Sequence, residues 1–166
     1  GPLADLKLAQ SSLDDAMRQA QGSVANLKMP WIGFTPLEWA AKKGHLEIVK
    51  WLLAEPRTKA LVNNGSPVGW ASYTNRVEIA RLLVDKGASP EATDEIYWDG
   101  RPPLLAAAEN GMIDAVKFLV QECGVNIKAT KWKGNGIVAH IKMSPNWKEQ
   151  KGHRTVLDYA KKKLKG

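Results

Sequence analysis

Apolar residues come in short helical bursts, each broken by a turn residue. In Thr35 to Leu53, Leu37, Ala40 and Ala41 give a short apolar face, and Leu46, Val49, Leu52 and Leu53 give a second. Thr35 can cap the first helix through its hydroxyl, and Pro36 suits the first helical position, where no backbone donor is needed. Gly44 ends that helix after about two turns, because glycine adopts the left-handed conformation at no steric cost. The pattern predicts two short antiparallel helices with small residues on the first. Neither could bury its apolar face alone, so such a unit needs neighbours on either side.

The unit recurs. Ser66-Pro67-Val68, Trp70-Ala71, then Val77, Ala80, Leu82, Leu83 and Val84 repeat it, with Asn75 in place of the breaking glycine. Asparagine tolerates the left-handed region best after glycine. A third copy starts at Pro102-Pro103-Leu104 and continues through Ala106 to Ala108, Gly111, Ile113, Val116, Phe118, Leu119 and Val120. Thr155-Val156-Leu157-Asp158-Tyr159-Ala160 reads as a partial fourth copy that ends after one lysine-rich helix.

Gly33-Phe34-Thr35-Pro36-Leu37, Ala40-Ala41, Gly44-His45 and Leu52-Leu53 closely resemble the ankyrin repeat pattern G-x-T-P-L-H-x-A-A-x-x-G-H. Glu38 stands where that family usually has histidine. The resemblance implies an all-α fold, an ankyrin-repeat solenoid of stacked helix-turn-helix units with finger loops. The units expected are an N-terminal helical cap over 3–29, repeats over 30–61, 62–94 and 95–130, and a partial C-terminal repeat over 155–166. Between the last two lies 131–154, an insertion rich in basic residues and tryptophan. Its Ile137-Val138-Ala139-His140-Ile141 run has β-like character, so a lengthened hairpin or an ordered loop is expected.

Composition narrows the class. With 44% hydrophobic and 25% charged residues, the chain is globular, and no run approaches the roughly 18 apolar residues of a membrane span. Cys123 is the one cysteine, which excludes an internal disulfide and fits a reducing intracellular compartment, cytoplasm or nucleus. It follows an apolar helix and reads as a half-buried structural thiol. His45, His140 and His153 lack metal-ligand spacing, no serine has a nucleophile-elbow context, and the glycines occupy turn positions rather than a phosphate loop. The chain therefore reads as non-catalytic, with no cofactor, no metal and no small-molecule substrate expected, and as a monomer on its own.

Charge is uneven. Residues 1–100 carry 11 Lys+Arg against 12 Asp+Glu, whereas residues 101–166 carry 13 against 5. A basic end suggests an acidic partner, although basic surfaces also serve solubility. The family resemblance implies a concave binding surface made of finger tips and first helices. By position it would use the finger residues Trp31, Ile32, Phe34, Val62, Asn63, Tyr97, Trp98, Asp99 and Arg101. The first helices would add Lys42, Lys43, Tyr73, Thr74, Glu109, Asn110, Lys162 and Lys163. Trp31, Phe34, Tyr97 and Trp98 are large aromatics suited to anchoring a partner, or to packing on a neighbouring finger. Trp39, Trp70 and Tyr159 recur at one repeat position and favour a packed inter-repeat row over ligand contact. The main expectation is an adaptor that binds an acidic, partly apolar peptide or domain. The alternative is nucleic acid, held at Lys131, Lys133, Lys142, Lys148, Lys151 and Arg154 with bases stacked on Trp132 and Trp147. Lys161 to Lys163 read as a solvated helix face, with a nuclear localisation patch as the alternative.

Overall fold

A computed structural model describes residues 35–54, 60–94 and 99–166, together with residues 11 and 56. The expected N-terminal cap over 3–29, apart from residue 11, and the finger residues Trp31, Ile32, Phe34, Tyr97 and Trp98 lie outside them.

Helix α1 (Pro36–Lys43) starts with a reciprocal cap. The Glu38 amide donates to Thr35 Oγ1 (3.1 Å) and the Thr35 amide donates to Glu38 Oε1 (3.1 Å). Gly44, at φ 76°, turns the chain into α2 (Leu46–Ala54). After a 3₁₀ turn at Ala60–Asn63, Ser66 caps α3 (Pro67–Tyr73), and α4 (Val77–Asp85) follows. Asn75 sits at φ 59°, so it does take the glycine's part at that corner. Its side chain adds what glycine could not, because Oδ1 accepts from the Ala115 amide (3.1 Å) in the next repeat. The third pair is α5 (Pro103–Glu109) and α6 (Ile113–Lys117), the latter running into a wide π turn at Phe118–Glu122. The last pair is α7 (Ile137–Met143) and α8 (Lys151–Lys165).

The fold is all-α, and no strand is present among the described residues. Helices α1, α3, α5 and α7 pack in sequence as an inner row, and α2, α4, α6 and α8 lie against α1, α3, α5 and α7 respectively. Small residues let the inner row approach closely: Ala40, Ala41, Ala71, Ala106, Ala107 and Ala108 are all buried. Leucines fill the space between the rows, and Leu37, Leu52, Leu83, Leu104, Leu105 and Leu119 are fully enclosed.

Two expectations about the C-terminal third are corrected. The Ile137–Ile141 run is a helix, not a hairpin or loop. Its β-branched residues suggested a strand, but Ile137, His140 and Ile141, at i, i+3 and i+4, form one buried face against α5. Gly136 precedes the helix, and Ser144-Pro145 stops it. Ile137 follows Pro103 at close to the family period of about 33 residues, so no long insertion separates the third and fourth pairs. The extra length lies within the fourth pair, where residues 144–150 form a corner that residues 44–45 suffice for in the first.

The second correction concerns Thr155–Ala160, which is not the first helix of a partial repeat. Thr155 lies inside α8, its Oγ1 donating to the Lys151 carbonyl (2.9 Å) instead of accepting from a capping amide. The letters matched a first helix, but no proline or cap fixes a helix start there. Tyr159, Lys162 and Lys163 therefore belong to the outer row, and only Trp39 and Trp70 share the position assigned to all three aromatics. Trp70 is buried, as a packed row requires, and Trp39 is partly buried against the core.

Helix α8 is seated on the α5–α6 corner. His153 Nε2–H donates to the Glu109 carbonyl (2.7 Å), satisfying an end of α5 that has no intrahelical partner. Gly111 makes the approach possible: it sits at φ 71°, and a Cβ there would lie 2.9 Å from the His153 backbone nitrogen. Gly111→Ala combines left-handed strain with a backbone clash, and is expected to cost about 2–4 kcal/mol. A urea titration of the variant checks it.

Candidate binding surface

The inner row ends in a strip where charged, aromatic and amide groups from successive helices meet. The Lys42 ammonium at the end of α1 lies 4.9 Å from the centre of the Trp70 ring on α3. Trp70 in turn meets the edge of Tyr73, with centroids 6.2 Å apart and planes at 89°. Thr74 Oγ1 donates to the Trp70 carbonyl (2.9 Å), and Asn110 Nδ2 donates to the Tyr73 carbonyl (2.7 Å) from the end of α5. Lys42, Tyr73, Thr74 and Asn110 are thus joined through Trp70, for which the sequence favoured packing over ligand contact. Lys43 stands exposed beside them, while Tyr73 and Asn110 are half-buried. The backbone under these groups is fixed by bonds between repeats, so little ordering entropy would be lost on binding.

A second cluster joins the third finger to residues 131–135. Trp132 and Asn135 exchange two backbone hydrogen bonds of 3.0 Å around a tight turn, with Lys133 at φ 50° and Gly134 at φ 81°. Trp132 Nε1–H donates to the Asp99 carbonyl (2.7 Å), and Lys133 Nζ donates to the Asp99 carboxylate (2.6 Å). That bond from Lys133 holds the Asp99 carboxyl below its usual range. The Arg101 guanidinium stacks 4.4 Å from the Trp132 ring centre and pairs with Glu109 at the end of α5. The Lys133 ammonium lies 4.4 Å from the same ring. Arg101, Glu109, Trp132 and Lys133 are therefore one clasp. Its indole is committed to contacts within the chain.

Beneath the clasp lies His140, a residue whose part in the structure the sequence did not disclose. Its ring is fully buried, edge-on to Trp132 at 5.7 Å, and neither nitrogen has a hydrogen-bond partner among the described residues. Burial first, and the Arg101 charge second, lower its pKa. The folded chain consequently binds fewer protons here than the unfolded chain does. Stability is complete above the ordinary imidazole value of about 6.5 and falls as pH drops below it toward the depressed folded value. The urea midpoint is expected to decline between about pH 7 and pH 5, less so in His140→Leu.

Trp147 stands apart from both clusters. It sits in the corner after α7, whereas Trp132 precedes α7; its ring is half-buried, and the Lys142 and Lys148 ammonium groups each lie 5.8 Å from its centre. Lys131, Lys151 and Arg154 are exposed. Lys162 and Lys163 are exposed on α8, away from the inner row. Cys123 is half-buried, and burial pushes its thiol up, which disfavours the reactive thiolate. Among the described residues, no group of three or more His, Cys, Asp or Glu side chains is placed to hold a metal ion. No helix among them is long and apolar enough to cross a membrane.

Comparison with known proteins gives the same picture for most of the chain. The family model described as ankyrin repeats in three copies matches residues 9–94 and again 37–131. An Escherichia coli protein named for its ankyrin repeats, YahD, is 36% identical over 99 residues, 54% of this chain and 45% of its own length. The mouse ankyrin and armadillo repeat-containing protein is 30% identical over 122 residues, 72% of this chain and 8% of its own. Mouse ankyrin repeat domain-containing protein 63 is 36% identical over 92 residues, 55% of this chain and 21% of its own. The chain spans less than half the length of these relatives. With the matched repeats and the stacked helix pairs in agreement, the chain belongs to the ankyrin repeat family.

Proposed function

We propose that this chain is a non-catalytic adaptor that binds an acidic, partly apolar peptide or domain of another protein on its inner-helix and finger surface. Ankyrin repeats generally mediate protein–protein interaction. The observation that carries the reading for this chain is the Lys42–Trp70–Tyr73–Asn110 strip. It offers the Lys42 ammonium, with exposed Lys43 next to it in the chain, for carboxylates and a half-buried phenol ring for apolar contact, on a backbone already fixed between repeats. The clasp extends that strip along the row, with Arg101 held by Glu109 and Trp132. Trp31, Ile32, Phe34, Tyr97 and Trp98, by their place in the repeat pattern, are the further partner contacts of this reading.

Nucleic-acid binding through Trp132 and Trp147 draws less support. Base stacking needs open aromatic faces, and both rings already carry the chain's own cations. A pull-down from lysate, with and without nuclease, compares wild type with Tyr73→Ala and Lys43→Glu. A nuclease-resistant protein lost with both variants supports the adaptor. Recovery of nucleic acid unaffected by either variant overturns it.

A further inference from the structure

Helix α8 has two contrasting faces. His153, Val156, Leu157 and Ala160 are buried, while Lys151, Arg154, Lys161, Lys162 and Lys165 are exposed around the opposite side with only Asp158 between them. None of these five cations forms an ion pair with a carboxylate among the described residues. The helix also begins against the usual rule. Its first turn holds no acidic residue, and Lys151 and Arg154 sit near the positive end of the dipole, where a cation is disfavoured. Arg154 is held there by its donation to the Lys148 carbonyl (2.7 Å), which ties the 144–150 corner to the helix.

The corner adds apolar surface to this charge. Met143 is 48% exposed at the end of α7, and Trp147 is half-buried between Lys142 and Lys148. Glu149 is the only acid in the corner. Such a corner is unnecessary for stacking, since the first repeat turns through residues 44–45 alone. Like charges crowded without a paired carboxylate weaken the folded state, and the local rules they break mark a place shaped for something outside the chain.

We propose that this C-terminal face, the 144–150 corner with the exposed side of α8, is a second docking surface, separate from the inner row, for an acidic protein segment carrying an apolar side chain. The unpaired cations supply charge complementarity along a helix roughly 22 Å long. Met143 and the open part of Trp147 receive the apolar residue, since Trp and Met are enriched at protein interfaces and Met adapts its shape. A protein segment fits better than a nucleic-acid strand. A stacked base needs a whole ring face, which the Lys142 and Lys148 ammonium groups crowd at 5.8 Å, while one apolar side chain needs only the exposed part of the ring.

Fluorescence polarisation of the full chain with a labelled Asp/Glu/Leu peptide tests this, alongside single-stranded DNA of matched charge. The peptide is expected to bind, with affinity falling about tenfold in Lys151→Glu/Arg154→Glu and severalfold in Trp147→Ala. The double reversal lies on an exposed face, and circular dichroism confirms that it keeps its helix. Because the inner row is proposed for a segment of similar chemistry, the peptide is expected to keep a site in Tyr73→Ala that Lys151→Glu/Arg154→Glu then removes. No binding, an unchanged affinity in the double reversal, or DNA binding more tightly than the peptide each overturn the proposal. Loss of peptide binding in Tyr73→Ala also overturns it, by placing the peptide on the inner row and leaving the adaptor reading intact.

Discussion

Replacing Glu38 by alanine is expected to destabilise the fold by about 4 kcal/mol, the largest single effect foreseen. The carboxylate is fully buried and accepts from two backbone amides in different repeats. One is Thr35, at 3.1 Å within its own cap, and the other is Ser66, at 3.3 Å in the next. Losing the acceptor leaves both donors in a place water does not reach, at about 1–3 kcal/mol each. Gly65 shows how closely the site is built: at φ 70°, a Cβ there would lie 2.4 Å from Glu38 Oε2. Glu38→Gln keeps one carbonyl oxygen and is expected to recover roughly half the loss. Chemical denaturation of the two variants measures both. Equal losses would mean that volume, not the acceptor pair, sets the effect.

Trp132→Ala is expected to cost about 3 kcal/mol, concentrated in the last repeat. The indole donates to the Asp99 carbonyl, carries Arg101 and Lys133 on its ring and lies 5.7 Å from the His140 ring at a near-perpendicular angle. Removing it opens the α7 side of the stack, and leaves the Arg101–Glu109 pair without its aromatic support. Because each repeat touches only its neighbours, α7 and α8 should loosen before the rest. Hydrogen exchange in the variant is expected to show lost protection over residues 137–165 and retained protection over α3 and α4. Uniform loss throughout would show that the clasp supports the whole stack.

The sequence disclosed most about the units with intact cap chemistry. Thr35-Pro36 and Ser66-Pro67 start helices where expected, and Gly44, Asn75 and Gly111 all sit at positive φ at the corners. The fourth pair was misread because neither of its helices starts with that chemistry. Gly136 replaces the capping hydroxyl before α7, and a T-V-L-D-Y-A run inside α8 imitates the first-helix letters. A five-residue apolar run such as Ile137 to Ile141 fits either period until its neighbours are known. What settled it was the space beside α5, which one letter after another along the chain does not contain.

The candidate strip was half legible. Lys42, Tyr73, Thr74 and Asn110 were placed by repeat position, and the structure joins them through contacts that no spacing rule states, while Glu109 falls in the neighbouring clasp. The Trp70 ring receiving Lys42 and the Asp99 carbonyl receiving Trp132 arise from neighbouring repeats, at separations set by stacking. Trp147 shared a basic stretch with Trp132 in the sequence, yet α7 separates the positions of the two rings in the chain. Lys162 and Lys163 went astray with the register of α8.

The adaptor reading is tested most directly by photo-crosslinking in cells, with a crosslinking amino acid at Lys43 on the inner row or at Glu78 on the outer row. Both positions are exposed, so neither replacement disturbs the core. The account predicts a discrete protein adduct from position 43 and none from position 78. Equal adducts from both positions, or a nuclease-sensitive adduct from position 43, would contradict it.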